Sequence, residues 1–368
     1  MLSQKPRERQ NTVTHSIIMS REEIPLSNHI KKFREERGWS QQELAERAGL
    51  SRAGVSAIET GKLVPSTVAA LALAKVFACP VEELFQVGGQ AELHWAWPPL
   101  QAPCRCWRAM VSNRLLLYPV EHSPLGMVPH DGVFREGRLF ENPFSDPYRT
   151  LVMASCDPAA GLLAAEYARS TPYRMLVLSR PSRTALELVR DGLVHVAGLH
   201  LARSTSPEEN SKAAREILDV PFTLLRLADW EEGLVLAPGL GLSSVRQILE
   251  ANIRWIGRET GSGARQVLDD LLQGGKISPT MMARDHLGVV EAIRAGWAEA
   301  GISVRLVSDE AGLDFISLRE EAFDLCIPGT QADDPRVRAL VDVVRSSPLK
   351  NMLKELPGYD VKSTGELS

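Results

Sequence analysis

Residues 40–62 read SQQELAERAGLSRAGVSAIETGK, and this stretch decides the N-terminal fold. Ser40 and Ser51 each stand where a hydroxyl caps a helix, and Glu43 follows Ser40 at capping-box spacing. Between the two helix starts, Gly49 supplies the left-handed backbone position at which one helix stops and the next leaves at a steep angle. Leu44, Ala45 and Ala48 with Val55 and Ile58 give the apolar stripe that packs the pair, and the small Ala45 permits a close crossing. Arg52, Ala53, Ser56, Ala57 and Glu59 then remain on the outward face of the second helix. That face is too sparse in apolar bulk for a core and suits a DNA major groove.

With its neighbours, the stretch resembles the lambda-repressor-like helix-turn-helix family of the Cro and xenobiotic-response-element type. The likeness runs over residues 26–85, through NHIKKFREERGWS, QQELAERAGLS, RAGVSAIETGK, a break at Pro65, TVAALALAKVF and CPVEELF. Thr60 departs from it, since the family more often has Asn there. The resemblance implies a DNA-facing set of Gln41, Gln42, Ser51, Arg52, Ala53, Ser56, Ala57 and Lys62. Gln41, Ser56 and Lys62 would touch phosphates, and Arg52, Ala53 and Ala57 would face base edges. Arg52 is the strong base reader, because its fork pairs bidentately with guanine. The alternative for the whole element is a helical hairpin that docks a protein.

The chain has 368 residues, a net charge of −4 and 44% hydrophobic residues, which leaves room for two or three domains of ordinary soluble composition. Residues 1–90 carry 12 Lys and Arg against 10 Asp and Glu, whereas the remainder carries 30 against 36. The mild basic bias therefore lies with the helix-turn-helix end. No run approaches the ~18 apolar residues of a membrane span, and residues 16–19 are too short for a signal core, so the expectation is a cytoplasmic protein without a membrane partner. Five cysteines outline no disulfide framework. Cys104 and Cys106 form a lone C-x-C without the paired spacings of a structural zinc site, and no metal is assigned. Residues 1–25 are polar and aperiodic and read as a disordered arm.

From Thr150 onward, short apolar runs alternate with amphipathic helices: TLVMA, AAGLLAAEYARS, RMLVLS, TALELVRDG, HVAGLHL and LVLAP. Such alternation predicts a largely parallel sheet covered on both faces, an α/β domain. Three strand ends run into small polar turns that open helices, at residues 155–158, 179–182 and 258–263. In open α/β sheets ligands sit outside strand carboxyl ends, where helix-start amides attract anions. Gly261 and Gly263 admit close backbone approach, Ser262 adds a hydroxyl and Arg265 a charged fork. Taken alone, G-S-G reads equally as a plain cap or as a binding loop.

The order of these pieces looks like the periplasmic-binding-protein-like domain of molybdate-linked regulators and biosynthesis proteins, from about Leu151 to the end, including GYDVKSTGEL. The resemblance implies two α/β lobes closing on a ligand, with tetrahedral oxyanions such as molybdate and tungstate the best-known ligands of the family. It places Ser155 and Cys156 on a first loop, Ser182 and Arg183 on a second, and Arg258, Gly261, Ser262, Gly263 and Arg265 on a third. The family's third loop commonly reads N-R-x-x-G-S-G-T-R. Here Gly257 replaces the Asn and Ala264 the Thr, which removes one hydroxyl ligand and leaves a small organic ligand open. His200 and His286 fall at further matching positions and read as hydrogen-bonded structural histidines, and Cys156 reads as a small buried residue.

The expected organisation is a multidomain chain. It comprises a disordered arm (1–25), an all-α helix-turn-helix domain (26–86), a linker or small β unit (87–149) and a two-lobed α/β ligand-sensing domain (150–368). The tryptophans of the third segment leave an aromatic cage as an alternative there. A DNA reader joined to a ligand clamp implies a one-component transcriptional regulator and not an enzyme, working as a homodimer on double-stranded DNA with a small-molecule effector and no cofactor. No catalytic residue is assigned, since G-x-S-x-G, P-loop and H-E-x-x-H motifs are all missing. The alternatives are a molybdopterin-biosynthesis-related protein and a sensor whose helix-turn-helix docks a protein.

Overall fold

The computed structural model describes residues 26–87, 94–121, 127–142, 145–272, 279 and 281–368; the arm expected over residues 1–25 lies outside them. The chain divides into two compact units, residues 1–92 and 93–368.

The first unit runs β1 (Leu26–Asn28), α1 (Ile30–Glu36), α2 (Gln41–Ala48), α3 (Arg52–Glu59), α4 (Thr67–Phe77), α5 (Val81–Leu84) and β2 (Phe85–Val87). Ile30, Leu44, Ala45, Val55, Ile58, Leu73, Phe77 and Leu84 form its core. The domain is not purely helical, because β1 and β2 pair antiparallel. The chain enters and leaves on the same side, where His29 N–H donates to the Leu84 carbonyl at 2.9 Å. The Asn28 amide also reaches across to the Ile58 carbonyl at 2.7 Å.

The second unit begins with β3 (His94–Trp95), β4 (Cys104–Val111), β5 (Arg114–Pro119), β6 (Gly132–Arg135) and β7 (Arg138–Glu141), a five-stranded sheet in the order β3-β5-β4-β6-β7. Its inner residues Ala109, Val111, Leu116 and Tyr118 share a core with Val152, Ala154, Leu178 and Ala197, so this sheet packs onto the α/β region that begins at Thr150. The three tryptophans serve packing here. Trp95 meets Phe134 edge-on, Trp97 meets Tyr118 likewise, and Trp107 Nε1 donates to the Pro129 carbonyl at 2.8 Å. They form no cage. Cys106 is buried on β4 and its thiol donates to the Gly132 carbonyl, so the C-x-C pair serves the sheet.

Next come β8 (Thr150–Ala154), α6 (Ala160–Ser170), β9 (Arg174–Leu178), α7 (Ser182–Arg190), β10 (Val196–Arg203), α8 (Glu208–Ile217) and β11 (Phe222–Leu236). They are followed by α9 (Val245–Glu250), β12 (Ile256–Arg258), α10 (Gly263–Leu271), β13 (Met281–Ala283), α11 (His286–Arg294), β14 (Ala300–Val304) and α12 (Arg305–Glu310). The chain closes with β15 (Asp314–Pro328), α13 (Pro335–Arg345), α14 (Ser347–Lys354) and β16 (Tyr359–Asp360). One curled sheet in the order β14-β11-β15-β10-β8-β9, with β16 on β11, organises this region. The 15-residue strands β11 and β15 span it. β10 pairs with β8 and, on its other side, with the C-terminal part of β15, and β14 pairs with the C-terminal part of β11. One large core cluster spans both halves and each half adds a smaller one, and a register shift lies between Glu232 and Gly233 on the shared strands. This places the ends of β8, β10 and β12 and the starts of α7, α10 and α11 around one junction. Among the described residues no helix is long and apolar enough to cross a membrane.

Candidate functional site

Each helix of the DNA-facing element is capped by its own sequence. Ser40 Oγ accepts the Glu43 amide at 3.1 Å while the Glu43 carboxylate accepts the Ser40 amide at 2.6 Å. Gly49 ends α2 at φ +67°, and Ser51 Oγ accepts the Gly54 amide at 3.0 Å to open α3. Gln42, Ser51, Arg52, Ala53 and Lys62 are exposed, and Gln41, Ser56 and Ala57 are half-buried. Glu59, expected on the outward face, instead points inward. Its carboxylate accepts Arg34 Nε at 2.6 Å and the Gln41 amide at 2.9 Å. Gln41 is thereby fixed at the start of α2.

In the second unit a buried polar cluster fills the junction. Cys156, in the loop after β8, places Sγ 3.0 Å from His200 Nε2 on β10. His200 Nδ1 donates to Glu321 Oε2 at 2.8 Å, and the same carboxylate accepts Trp230 Nε1 at 3.1 Å and the Arg319 guanidinium. From the other half, His286 at the first turn of α11 brings its ring within 5.5 Å of His200, with Trp230 edge-on to both imidazoles. Ser303 Oγ donates to the His286 carbonyl and accepts from Nδ1, which leaves His286 Nε2 as a buried lone pair with no hydrogen-bond partner among the described residues. His200, His286, Glu232 and Glu321 are 0% exposed.

Burial sets the charges here. It would depress His200, but the adjoining Cys156 and Glu321 carry that imidazole well above its ordinary value. His286 is held neutral, first by burial and then by the positive charges of Arg258 and His200. Burial also opposes ionisation of Glu321, yet its hydrogen bond to His200 and the charges of His200 and Arg319 pull it below the usual carboxylate range. Glu232, buried beside that charge, is pushed up and stays protonated.

The expected ligand loops converge here only in part. Ser155 Oγ accepts the Asp157 amide, and Ser182 Oγ accepts the His200 amide at 3.1 Å. Ser262 caps α10 through the Arg265 amide and donates to the Glu259 carbonyl. Gly261 takes φ +90°, and at Gly263 a Cβ would stand 2.4 Å from the His200 carbonyl oxygen. Arg183 departs from the expectation, because its guanidinium runs outward to Glu216 at 3.6 Å. Arg265 likewise turns to Asp269 at 2.8 Å. Arg258 is the arginine that faces inward. Its side chain is fully buried, Nη2 donates weakly to the Arg284 carbonyl, and Nε and Nη1 have no partner among the described residues.

Sequence pattern alone does not single out Trp230, Glu232 and Glu321, and it treats His200 and His286 as structural. The available signal is the acidic pair Glu231-Glu232 and the triplet Arg319-Glu320-Glu321 inside otherwise apolar strand runs, charges that a sheet core does not tolerate without a partner.

Comparison with known proteins gives two family matches. A helix-turn-helix model matches residues 30–84 and a PBP superfamily domain model matches residues 164–345. An uncharacterised HTH-type transcriptional regulator of Bacillus subtilis (strain 168), YgzD, is 40% identical over 60 residues, which is 16% of this chain and 91% of that protein. The chain belongs to the helix-turn-helix family. Beyond that domain, the uncharacterised protein YvgK of the same organism is 28% identical over 185 residues, 48% of this chain; the chain spans 59% of that relative's length. A solved structure, a putative phosphate ABC transporter substrate-binding protein from Clostridium perfringens with bound phosphate, aligns with a TM-score of 0.47 at 11% identity. That alignment covers 58% of this chain and all of the other. The helix-turn-helix unit implies DNA binding and the PBP superfamily domain a small ligand.

Proposed function

We propose that this chain is a one-component transcriptional regulator and not an enzyme, reading duplex DNA with the Arg52 face of α3 and binding a small oxyanion, molybdate and tungstate foremost, at the junction of its second unit. Arg258 carries the effector class. A guanidinium buried with two unpartnered nitrogens is costly, and a small anion satisfies both its charge and its donors. The starts of α7, α10 and α11 surround the same junction and favour negative charge. A homodimer sets two copies of α3 about 34 Å apart on a palindromic operator. Effector binding then acts on DNA only through a difference in affinity between two arrangements of the protein.

The test is fluorescence anisotropy on operator DNA obtained by selection from a random duplex pool, with molybdate, tungstate, sulfate or phosphate added. One anion should change operator affinity about tenfold, and Arg258→Gln should abolish that response while still binding DNA. No response to any of the four anions, or one that survives in Arg258→Gln, sinks the anion reading.

A further inference from the structure

The junction holds a second ligand set that the anion reading does not use. Cys156 Sγ, a ring nitrogen of His200 and a ring nitrogen of His286 lie within 4.8 Å of one another, all buried. Nδ1 of His200 is committed to Glu321 and Nδ1 of His286 to Ser303, so Nε2 is the nitrogen that each imidazole has left for a further ligand. A single hydrogen bond joins Cys156 Sγ to His200 Nε2, and His286 Nε2 is fully buried with no hydrogen-bond partner among the described residues. A thiol, imidazole and carboxylate in this order could describe an activated nucleophile. The third, independently oriented imidazole lone pair is surplus to that arrangement. Two nitrogens and one sulfur around a common point match the donors of a borderline-soft transition metal.

We propose that Cys156, His200 and His286 form a transition-metal site of the Zn²⁺ class, with Cys156 binding as thiolate and His200 as neutral imidazole after the proton between them is released to solvent. Three protein ligands leave a fourth position for water or an exogenous anion. Glu321 orients His200 through Nδ1 and raises its basicity, the usual outer-shell partner of a metal-bound histidine. Trp230 and Arg319 in turn hold Glu321. The ligands come from both halves of the unit, Cys156 and His200 from the β8–β10 side and His286 from α11, so the ion would also tie the halves together.

Cobalt(II) is the probe, added to untagged, chelator-treated full-length protein. One equivalent should give a thiolate-to-cobalt charge-transfer band and tetrahedral visible absorption, both displaced by Zn²⁺. Cys156→Ser should remove the charge-transfer band, and Cys106→Ser should retain it. His286→Gln and Glu321→Gln should each weaken cobalt affinity, the latter by about 10- to 100-fold. Circular dichroism of each metal-free variant establishes that it is folded before cobalt is added. Cobalt uptake without a charge-transfer band, or a band that persists in folded Cys156→Ser, overturns the site. The two readings fail separately, because the anion response is read as operator affinity and lost in Arg258→Gln, whereas the metal site is read from cobalt spectra and lost in Cys156→Ser.

Discussion

Arg34 and Glu59 meet across 25 residues of sequence, with the Glu59 side chain only 2% exposed. Glu59 also holds Gln41, so one carboxylate ties α1, α2 and α3 together. Removing one member of such a pair leaves the other buried without its partner, which costs about 3 kcal/mol or more. Glu59→Ala should therefore destabilise the first unit by about 3 kcal/mol, read as faster hydrogen exchange in α2 and α3 with the second unit unchanged. Exchange unaltered in both helices would show that the pair is dispensable. Local pattern puts Glu59 on the outward face, because α-helical periodicity assigns it there and the pairing cation stands on another element. The caps at Ser40 and Ser51 and the turn at Gly49 are legible for the opposite reason, since both partners of each contact lie within four residues. Arg183 and Arg265 repeat the lesson of Glu59. Composition marks an arginine near a ligand loop, but nearby carboxylates from Glu216 and Asp269 decide where its guanidinium goes.

At the level of elements, the seating of α10 against β10 decides whether the junction can close. Gly263 opens α10, and a Cβ there would stand 2.4 Å from the His200 carbonyl oxygen and 2.8 Å from its Nδ1. Neither atom can yield easily, since the first is strand backbone and the second is held by Glu321. Gly263→Ala should push α10 away from β10, costing about 1–3 kcal/mol of stability as overpacking does. It should also weaken effector binding; calorimetric titration with the responding anion reads this directly. A variant with unchanged melting and unchanged affinity would mean that α10 is not pressed on His200 in solution. The alternation of apolar runs and amphipathic helices from Thr150 onward makes the strands and helices readable. It does not reveal which of them meet, because Cys156, His200, His286 and Glu321 converge only after β11 and β15 have crossed between the halves. The five-stranded sheet of residues 94–141 is hard to read for a related reason. Its apolar face is completed by Val152, Leu178 and Ala197 from outside the segment, so its own pattern is incomplete.

For the molecule as a whole, the neutral histidines buried in the second unit make its stability sensitive to mild acid. His195 joins the two sheets of that unit: Nδ1 accepts the Val152 amide at 2.9 Å on β8, and Nε2 donates to the Met110 carbonyl at 3.0 Å on β4. The Val152 contact requires an unprotonated Nδ1, and burial, reinforced by the charge of Arg336, lowers the pKa to about 4 from 6.5. Above pH 6.5 the ring is neutral in both folded and unfolded chains and contributes no pH dependence. Between pH 6.5 and 4 the unfolded chain binds a proton that the folded chain refuses, so stability falls with pH through that window and levels off below it. At about 1.4 kcal/mol per pH unit, the loss between about pH 7 and about pH 5 amounts to about 2 kcal/mol. His195→Gln removes the titrating group, and the variant should start less stable near neutral pH yet lose about 2 kcal/mol less than the parent on going to about pH 5. Urea midpoints of both proteins at the two pH values measure the difference. Equal losses in parent and variant would assign the acid sensitivity elsewhere in the unit, with His286 the next buried neutral imidazole to replace.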